Sequence, residues 1–216
     1  LPSLLKEAKT PKLVGMEALR IALERSRSAE EAVDVITCLV SEFGQGKFAN
    51  DDGVRTYDNI YLIADPASAY VVECVGHDWA VSKIHNFRSI SNVSQIRKDA
   101  EKVSSGAEAH AVRERLFDSA LGEEFSFAKV FGDPNNSVSG TKRQCRSESL
   151  LSRREGKLDV RSMMQVLSDH SDGENPEEPP ISDIHGDVSI CLHRTSEESM
   201  GASTASLIAD LCATGE

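Results

Sequence analysis

The segment from Asp58 to Asn92 alternates between apolar and polar residues, and it constrains the fold more than any other part of the sequence. A period of two places successive side chains on opposite faces of an extended chain, which is typical of a β-strand. Pro66–Ser68 and Gly76–Asp78 are turn-forming and divide the segment. We therefore predict a meander of four short strands, which pair antiparallel because their links are short. The predicted strands are 59–65, 69–76, 77–84 and 87–92.

Two polar residues interrupt this pattern. Glu73 is an acid in an otherwise apolar strand, and it indicates either an edge or solvent-facing position or a partner for a buried cation near a site. Asn92 is disfavoured inside a strand because its amide competes for the backbone hydrogen bonds. Asn92 is therefore interpreted as a turn residue or as an amide placed for function.

Two amphipathic helices precede the strands and predict an αα-hairpin. The second helix begins with Ser28 and Glu31 in the spacing of a capping box and ends at Gly44. Cys38 lies on the apolar stripe of this helix, so we expect a small buried side chain. The first helix is indicated by apolar residues at three- and four-residue spacing, namely Met16, Leu19 and Leu23.

The second half of the chain predicts helices and a closing hairpin. Helices are expected around 108–121, with Gly122 as the stop, and over 142–156 and 157–170, whereas 131–142 has the composition of a loop. The cations of the 142–156 helix are expected mostly on a solvated face. Residues 171–184 predict an acidic, Pro-rich loop, and 186–195 and 202–211 predict the last two strands. The class is thus α+β, with helices covering the sheet.

Composition excludes several classes of function. The 24 Lys and Arg residues against 35 Asp and Glu residues give a net charge of −11, which excludes nucleic acid as the main partner. No apolar run is long enough for a transmembrane segment. The five cysteines are scattered without a CxxC pair, so we expect a reducing, cytoplasmic location and neither disulfides nor zinc. No metal or other cofactor is expected, and no phosphate-binding loop motif is present.

The order and spacing of several segments resembles the secernin and cysteine-type dipeptidase family. The most telling segments are the helix exit Gly44–Gly46, the strand Leu62–Asp65, the pairs Val72-Glu73 and Trp79-Ala80, and the triplet Ile90–Asn92. This family belongs to the N-terminal-nucleophile (Ntn) hydrolases. The resemblance implies an αββα sandwich, with two stacked and mostly antiparallel sheets between helical layers. It covers nearly the whole chain, so residues 1–216 are expected to form a single, partial Ntn-hydrolase-like domain.

The resemblance also implies a reaction and three site residues. The reaction is hydrolysis of a dipeptide or small amide by a cysteine whose own α-amino group acts as base. Asn92 occupies the place of an oxyanion-hole asparagine, which donates to the charge that develops on the substrate oxygen. Arg143 or Arg146 matches a basic position that supports the nucleophile.

One departure from the family limits this prediction. Residue 1 is Leu, and the family's opening segment, with its nucleophilic cysteine and first strands, has no counterpart in the sequence. The chain is therefore interpreted as the C-terminal portion of a longer dipeptidase or as a homologue without catalysis. An alternative is a non-catalytic secernin-type protein that regulates exocytosis through protein contacts. A third is a helix-covered domain whose named residues are all structural, and a homo-oligomer stays open in each case.

Overall fold

The computed structural model describes residues 13–50, 53–56, 58–132, 138–170, 189–192 and 202–211. Helices and strands are both present, which confirms the α+β class, while the αββα sandwich stays a prediction. The described helices are α1 (Gly15–Arg25), α2 (Ala29–Phe43), α3 (Ala107–Arg113), α4 (Phe127–Phe131), α5 (Val138–Ser152) and α6 (Val160–Leu167). The described strands are β1 (Lys47–Asn50), β2 (Gly53–Thr56), β3 (Ile60–Ala64), β4 (Ala69–Val75), β5 (Asp78–Lys83) and β6 (Lys102–Val103).

The chain divides into two compact units. The first unit contains residues 1–85 and 94–134 and includes all six described strands with α1 to α4. The second contains residues 86–93 and 135–216 and includes α5 and α6. A single domain over 1–216 stays a prediction, and the acidic loop at 171–184 lies outside the described residues.

The first unit is built on an antiparallel sheet with the strand order β3-β4-β5-β6. Its first three strands follow one another in sequence, as the alternating pattern predicted, and β4 is central with Ile60 opposite Glu73. The β3–β4 turn is closed by Asp65 N–H, which donates to Ser68 O at 2.9 Å. Gly76 turns β4 into β5 with a φ of +59°, a conformation that costs glycine little. Strands β1 and β2 pair separately as a two-stranded sheet.

The fourth predicted strand, 87–92, is wrong, because these residues form no strand and the partner of β5 is β6. The polar side chains that alternate in this segment bond to α5 instead of pointing to a solvated sheet face. Ser91 Oγ donates to Gly140 O at 3.0 Å, and the hydroxyl groups of Ser89 and Ser147 bond to each other. Alternation of serine with apolar residues therefore reflects contacts to a helix here.

Helix α2 packs on one face of the sheet and α1 packs against α2, and both helices contribute to the core of the first unit with β3, β4 and β5. Along β4 the residues that face the helices are the even-numbered ones, as the two-residue period requires. Helix α1 contacts the core through small residues, whereas the larger residues that indicated the helix are exposed. The prediction of a buried Cys38 is wrong, since its side chain is exposed. The core is formed by Ala18, Ala22, Ala29, Ala32, Val33, Ile36, Val40, Tyr61, Ile63, Tyr70, Val72, Cys74 and Val81.

The predicted start and end of α2 are confirmed. Ser28 Oγ accepts from Glu31 N–H at 3.2 Å, and the Glu31 carboxylate accepts from Arg27 N–H at 2.7 Å. The helix ends at Gly44, whose φ is +67°. A further contact fixes the helix start, because Asp65 Oδ2 in the β3–β4 turn accepts from Ala29 N–H at 2.6 Å.

Glu73 lies on the sheet face opposite α1 and α2. It is buried, with 1% of its surface exposed, so the prediction of an edge or solvent-facing position is wrong. Its Oε1 accepts from Gln95 N–H at 2.5 Å and from Ile96 N–H at 3.1 Å. The carboxylate thus anchors the segment that returns from 94 across this face, and the strand tolerates the acid because two amides solvate it.

The second unit has a small core between α5 and α6, formed by Leu150, Leu151 and Val166 with Phe87, Met163 and Ile190. The predicted C-terminal boundary of the 131–142 loop is wrong, because α5 already begins at Val138. The predicted closing hairpin is also absent from the described residues, since neither 189–192 nor 202–211 forms a strand. Ser203 N–H nevertheless donates to Leu192 O at 2.9 Å, and Leu192 N–H donates to Ser203 Oγ at 3.1 Å.

The helix predicted for 108–121 is shorter than expected. Helix α3 ends at Arg113, and Arg115 follows with a φ of +59°, which an α-helix cannot contain. Gly122 still ends a helical turn, because it caps the short 3₁₀ helix Ser119–Leu121.

Candidate functional site

Asn92 and Arg143, two of the three predicted site residues, are in direct contact in the second unit. Arg143 projects from the first turns of α5, and its Nη2 donates to Asn92 Oδ1 at 2.9 Å. Asn92 is exposed and lies in the segment that Ser89 and Ser91 fasten to the same helix. The contact therefore joins two elements that are already held together by neighbouring hydrogen bonds.

This contact fixes the orientation of the Asn92 amide. A guanidinium group has only donors, so the amide atom that faces Arg143 must be the oxygen. The Nδ2 group, with its two hydrogens, is therefore directed away from Arg143. An amide held in this way presents a donor in a defined direction, which is what stabilisation of a developing oxyanion requires.

The two residues line a small polar cavity. Its volume is about 340 Å³, and all of its lining residues belong to the second unit. The Nε of Arg143 is buried and has no hydrogen-bond partner within the part of the chain that the structure describes. Such a donor favours a ligand with an anionic or carbonyl oxygen, because a buried unpaired donor is costly. The lining residues are Ile90, Ser91, Asn92, Arg143, Gln144, Ser147 and Ile190.

Arg146, the third predicted residue, is occupied elsewhere. Its guanidinium group is buried and binds Asp169 through two bonds, Nε to Oδ2 at 3.0 Å and Nη2 to Oδ1 at 2.8 Å. Arg146 does not line the cavity. Arg146 is thus an exception among the cations of this helix, which were expected mostly on a solvated face, and its geometry is that of an ion pair that ties α5 to the end of α6.

No described cysteine lines the cavity. Cys74 is buried in the core of the first unit, where loss of solvation, the Asp58 charge and the Glu73 charge all raise the pKa of its thiol. A thiol held neutral in this way is a poor nucleophile. Cys38 and Cys145 are exposed, and Cys191 is partly buried. The described chain therefore contributes donors to the cavity but no thiol.

A second polar cluster, in the first unit, was not predicted. Asp78 Oδ2 bonds to His110 Nδ1 at 2.5 Å, and Asp78 Oδ1 accepts from Ser104 Oγ at 3.0 Å. Although Asp, His and Ser are present, the serine bonds to the carboxylate and not to the imidazole, so the arrangement differs from a nucleophilic triad. The cluster connects β5, the end of β6 and α3. No local spacing could reveal it, because His110 lies 32 residues from Asp78 in sequence.

Among the described residues, no three side chains of His, Cys, Asp or Glu come together as a metal-binding group. None of the helices that the structure describes is long and apolar enough to cross a bilayer. A comparison of the chain with models of known protein families found no family that matches it.

Proposed function

We propose that this chain forms part of a secernin-like cysteine dipeptidase, a cytoplasmic amide hydrolase of the Ntn class with an αββα architecture. In this proposal the nucleophilic cysteine belongs to polypeptide outside residues 1–216, so the chain alone is inactive. The Asn92 and Arg143 cavity contributes the groups that stabilise the transition state. Arg146 has no direct part, because Asp169 already satisfies its guanidinium group.

One observation carries the proposal, namely the bond from Arg143 to Asn92 Oδ1. It places a side-chain amide donor and a guanidinium group side by side on the wall of a cavity. When a thiolate attacks an amide carbonyl, negative charge develops on the carbonyl oxygen, and donors fixed in advance lower the barrier. Asn92 Nδ2 is the proposed donor to that oxygen. Arg143 positions the amide and strengthens the local positive potential.

The experiment uses the natural protein with its upstream polypeptide and measures dipeptide hydrolysis by release of a free amino acid. Asn92→Ala is expected to lower kcat about 10²–10³-fold, because one oxyanion donor is lost. Arg143→Lys should lower kcat less, since the charge stays while the planar group that orients the amide is lost. The thermal unfolding midpoint of the Asn92→Ala variant should stay close to that of the unmodified protein, because Asn92 is exposed.

Asn86 provides a matched control, since it is also exposed and its side chain donates to Glu155 Oε1 at 2.7 Å. Asn86→Ala should leave kcat unchanged. Equal activity of the Asn92→Ala variant and the unmodified protein would remove Asn92 from the mechanism. If the upstream polypeptide supplies no N-terminal cysteine and no dipeptide is hydrolysed, the hydrolase proposal is wrong.

A further inference from the structure

The outer edge of β3 has unpaired backbone groups. In the β3–β4 ladder, Asp65 N–H bonds to Ser68 O and Cys74 N–H bonds to Asn59 O. Bonding alternates along an antiparallel strand, so Tyr61 and Ile63 turn their backbone groups toward β4. The N–H and C=O groups of Ile60, Leu62 and Ala64 therefore point outward. Strand β3 is the terminal strand of its sheet, and no described residue bonds to these groups.

An apolar groove runs beside this edge. It has a volume of about 270 Å³ and lies between α1 and β3, with Leu19, Leu23 and Leu62 among its lining residues. Leu62 is 50% exposed and Leu23 is 74% exposed. Helix α1 packs inward through alanines, and its large apolar side chains Met16, Leu19 and Leu23 are exposed. Contiguous exposed apolar surface of this kind marks an interaction site more often than a neutral surface.

Strand β3 lacks the features that protect an edge. Edge strands are usually blunted by lysine, proline, a bulge or extreme shortness. The five residues of β3 are all uncharged, contain no proline and pair with β4 in continuous register. An extended peptide with alternating apolar side chains would find both backbone partners and an apolar groove here, which is the pattern of β-strand addition.

Charge decides which occupant fits. Asp58 and Asp65 lie at the two ends of the edge. Hydrogen bonds from Ala29, Ala67 and Ser68 lower the pKa of Asp65, whereas burial raises the pKa of Asp58 to about 6, so both carboxylates are largely ionised only above that pH. Arg27 also lines the groove, so the acidic character is confined to the ends of the strand. If two copies paired antiparallel about Leu62, Asp58 of each would lie beside the Asp65–Pro66 turn of the other. Like charges would then meet, and each chain also carries a net charge of −11.

We propose that the outer edge of β3 and the adjacent α1 groove bind an extended segment of a partner protein, with apolar side chains at alternate positions and basic residues at its ends. The segment adds a fifth strand next to β3. Its side chains on the helix-covered face pack against the α1 leucines, and those on the other face lie next to Leu62. Its terminal cations lie near Asp58 and Asp65. This inference does not depend on the proposed hydrolase activity.

The test is a binding titration with a fluorescein-labelled peptide of about seven residues, with alternating valine and threonine between two lysines. Fluorescence anisotropy with the chain 1–216 should show saturable binding. Ala64→Pro removes one outward N–H and leaves the bonds to β4 intact, so it should weaken binding about tenfold or more. Ala64→Thr keeps the N–H and serves as the matched control. Leu23→Asp, on the exposed side of α1, provides a second variant that does not alter the strand.

A peptide with proline at its centre should not bind, because it cannot form a ladder. Equal binding of the two peptides, or equal affinity of the unmodified chain, the Ala64→Pro variant and the Leu23→Asp variant, would overturn the proposal. Sedimentation velocity provides a further test. A dimer that Ala64→Pro converts to a monomer would assign the edge to a second copy and would also overturn it. The same conclusion follows if polypeptide of the same protein outside residues 1–216, where it exists, abolishes the peptide binding, because the protein's own chain then covers the edge.

Discussion

Buried charged side chains in this protein are accommodated by two different means. Glu73 is solvated by the backbone amides of Gln95 and Ile96, whereas Arg146 has a carboxylate partner in Asp169. Both arrangements depend on residues that are more than 20 positions away in sequence. The sequence indicated that Glu73 is unusual for a strand. Whether its side chain is buried or exposed depends on the amides of Gln95 and Ile96, which lie outside the strands that the sequence predicts. For Asn92, the resemblance predicted a functional amide, and the contact with Arg143 could not be predicted from spacing alone.

Replacement of Glu73 tests its role as an anchor. Glu73→Ala leaves two amides without an acceptor and should lower the free energy of unfolding by about 1–3 kcal/mol, as measured by urea denaturation. Glu73→Gln should cost less, because its carbonyl oxygen still accepts. Glu101→Ala, at an exposed position of the same unit, should change stability by less than about 0.5 kcal/mol. Similar losses for Glu73→Ala and Glu101→Ala would contradict the anchoring role.

At the scale of elements, the capping signals of α2 were reliable, whereas contacts between residues distant in sequence had no local signal. The start and end of α2 followed from Ser28, Glu31 and Gly44, because caps are local. The bond from Ala29 to Asp65 spans 36 residues and has no local signature. The segment 87–92 was mistaken for a strand because alternating serines fit a solvated sheet face as well as they fit hydrogen bonds to α5.

Asp65 predicts a pH dependence of stability. Hydrogen bonds from Ala29, Ala67 and Ser68 lower its pKa below the usual 3.8 in the folded state. Its contribution is therefore complete above the unfolded pKa and is lost as the pH falls through the folded pKa. The stability difference between the unmodified protein and Asp65→Asn should shrink between about pH 5 and about pH 2 in urea titrations. A difference that stays constant over this range would show that the Asp65 charge is not linked to folding.

The ion pair between α5 and the end of α6 predicts a strong asymmetry between single and double variants. Arg146→Ala leaves the Asp169 carboxylate without its guanidinium partner and should destabilise the protein by about 3–5 kcal/mol. The double variant Arg146→Met with Asp169→Leu should recover most of this loss, since it removes both charges and fills the space. Thermal unfolding distinguishes the cases. An equal loss in single and double variants would show that packing, and not charge, dominates at this position.

At the scale of the whole molecule, the sequence predicted the α+β class and the antiparallel core of the first unit, but not how α1 packs. Regular spacing of Met16, Leu19 and Leu23 indicated a helix correctly, yet its buried side is formed by Gly15, Ala18 and Ala22. Periodicity identifies an apolar stripe, and the shape of the neighbouring surface decides whether that stripe or a row of small residues is buried.

The distribution of thiols gives a prediction for the intact fold. Cys38 and Cys145 are exposed, whereas Cys74 is buried and the pKa of its thiol is raised. An alkylating reagent should therefore modify Cys38 and Cys145 at once, and Cys74 only at the rate at which the first unit unfolds. Peptide mapping by mass spectrometry measures each site separately. Rapid modification of Cys74 under native conditions would contradict its burial in the core.

The two edges of the four-stranded sheet differ in length and chemistry. At one end β6 has only two residues, Lys102 and Val103, while at the other β3 offers five residues in continuous register. A fibre that grows by edge-to-edge pairing of sheets needs two sheet edges on every molecule that can pair with each other. In this unit only the β3 edge is long enough to pair, and the β6 edge is too short, so the assembly stops after one pairing step. Even at high concentration, this unit should favour a one-to-one stoichiometry over fibres.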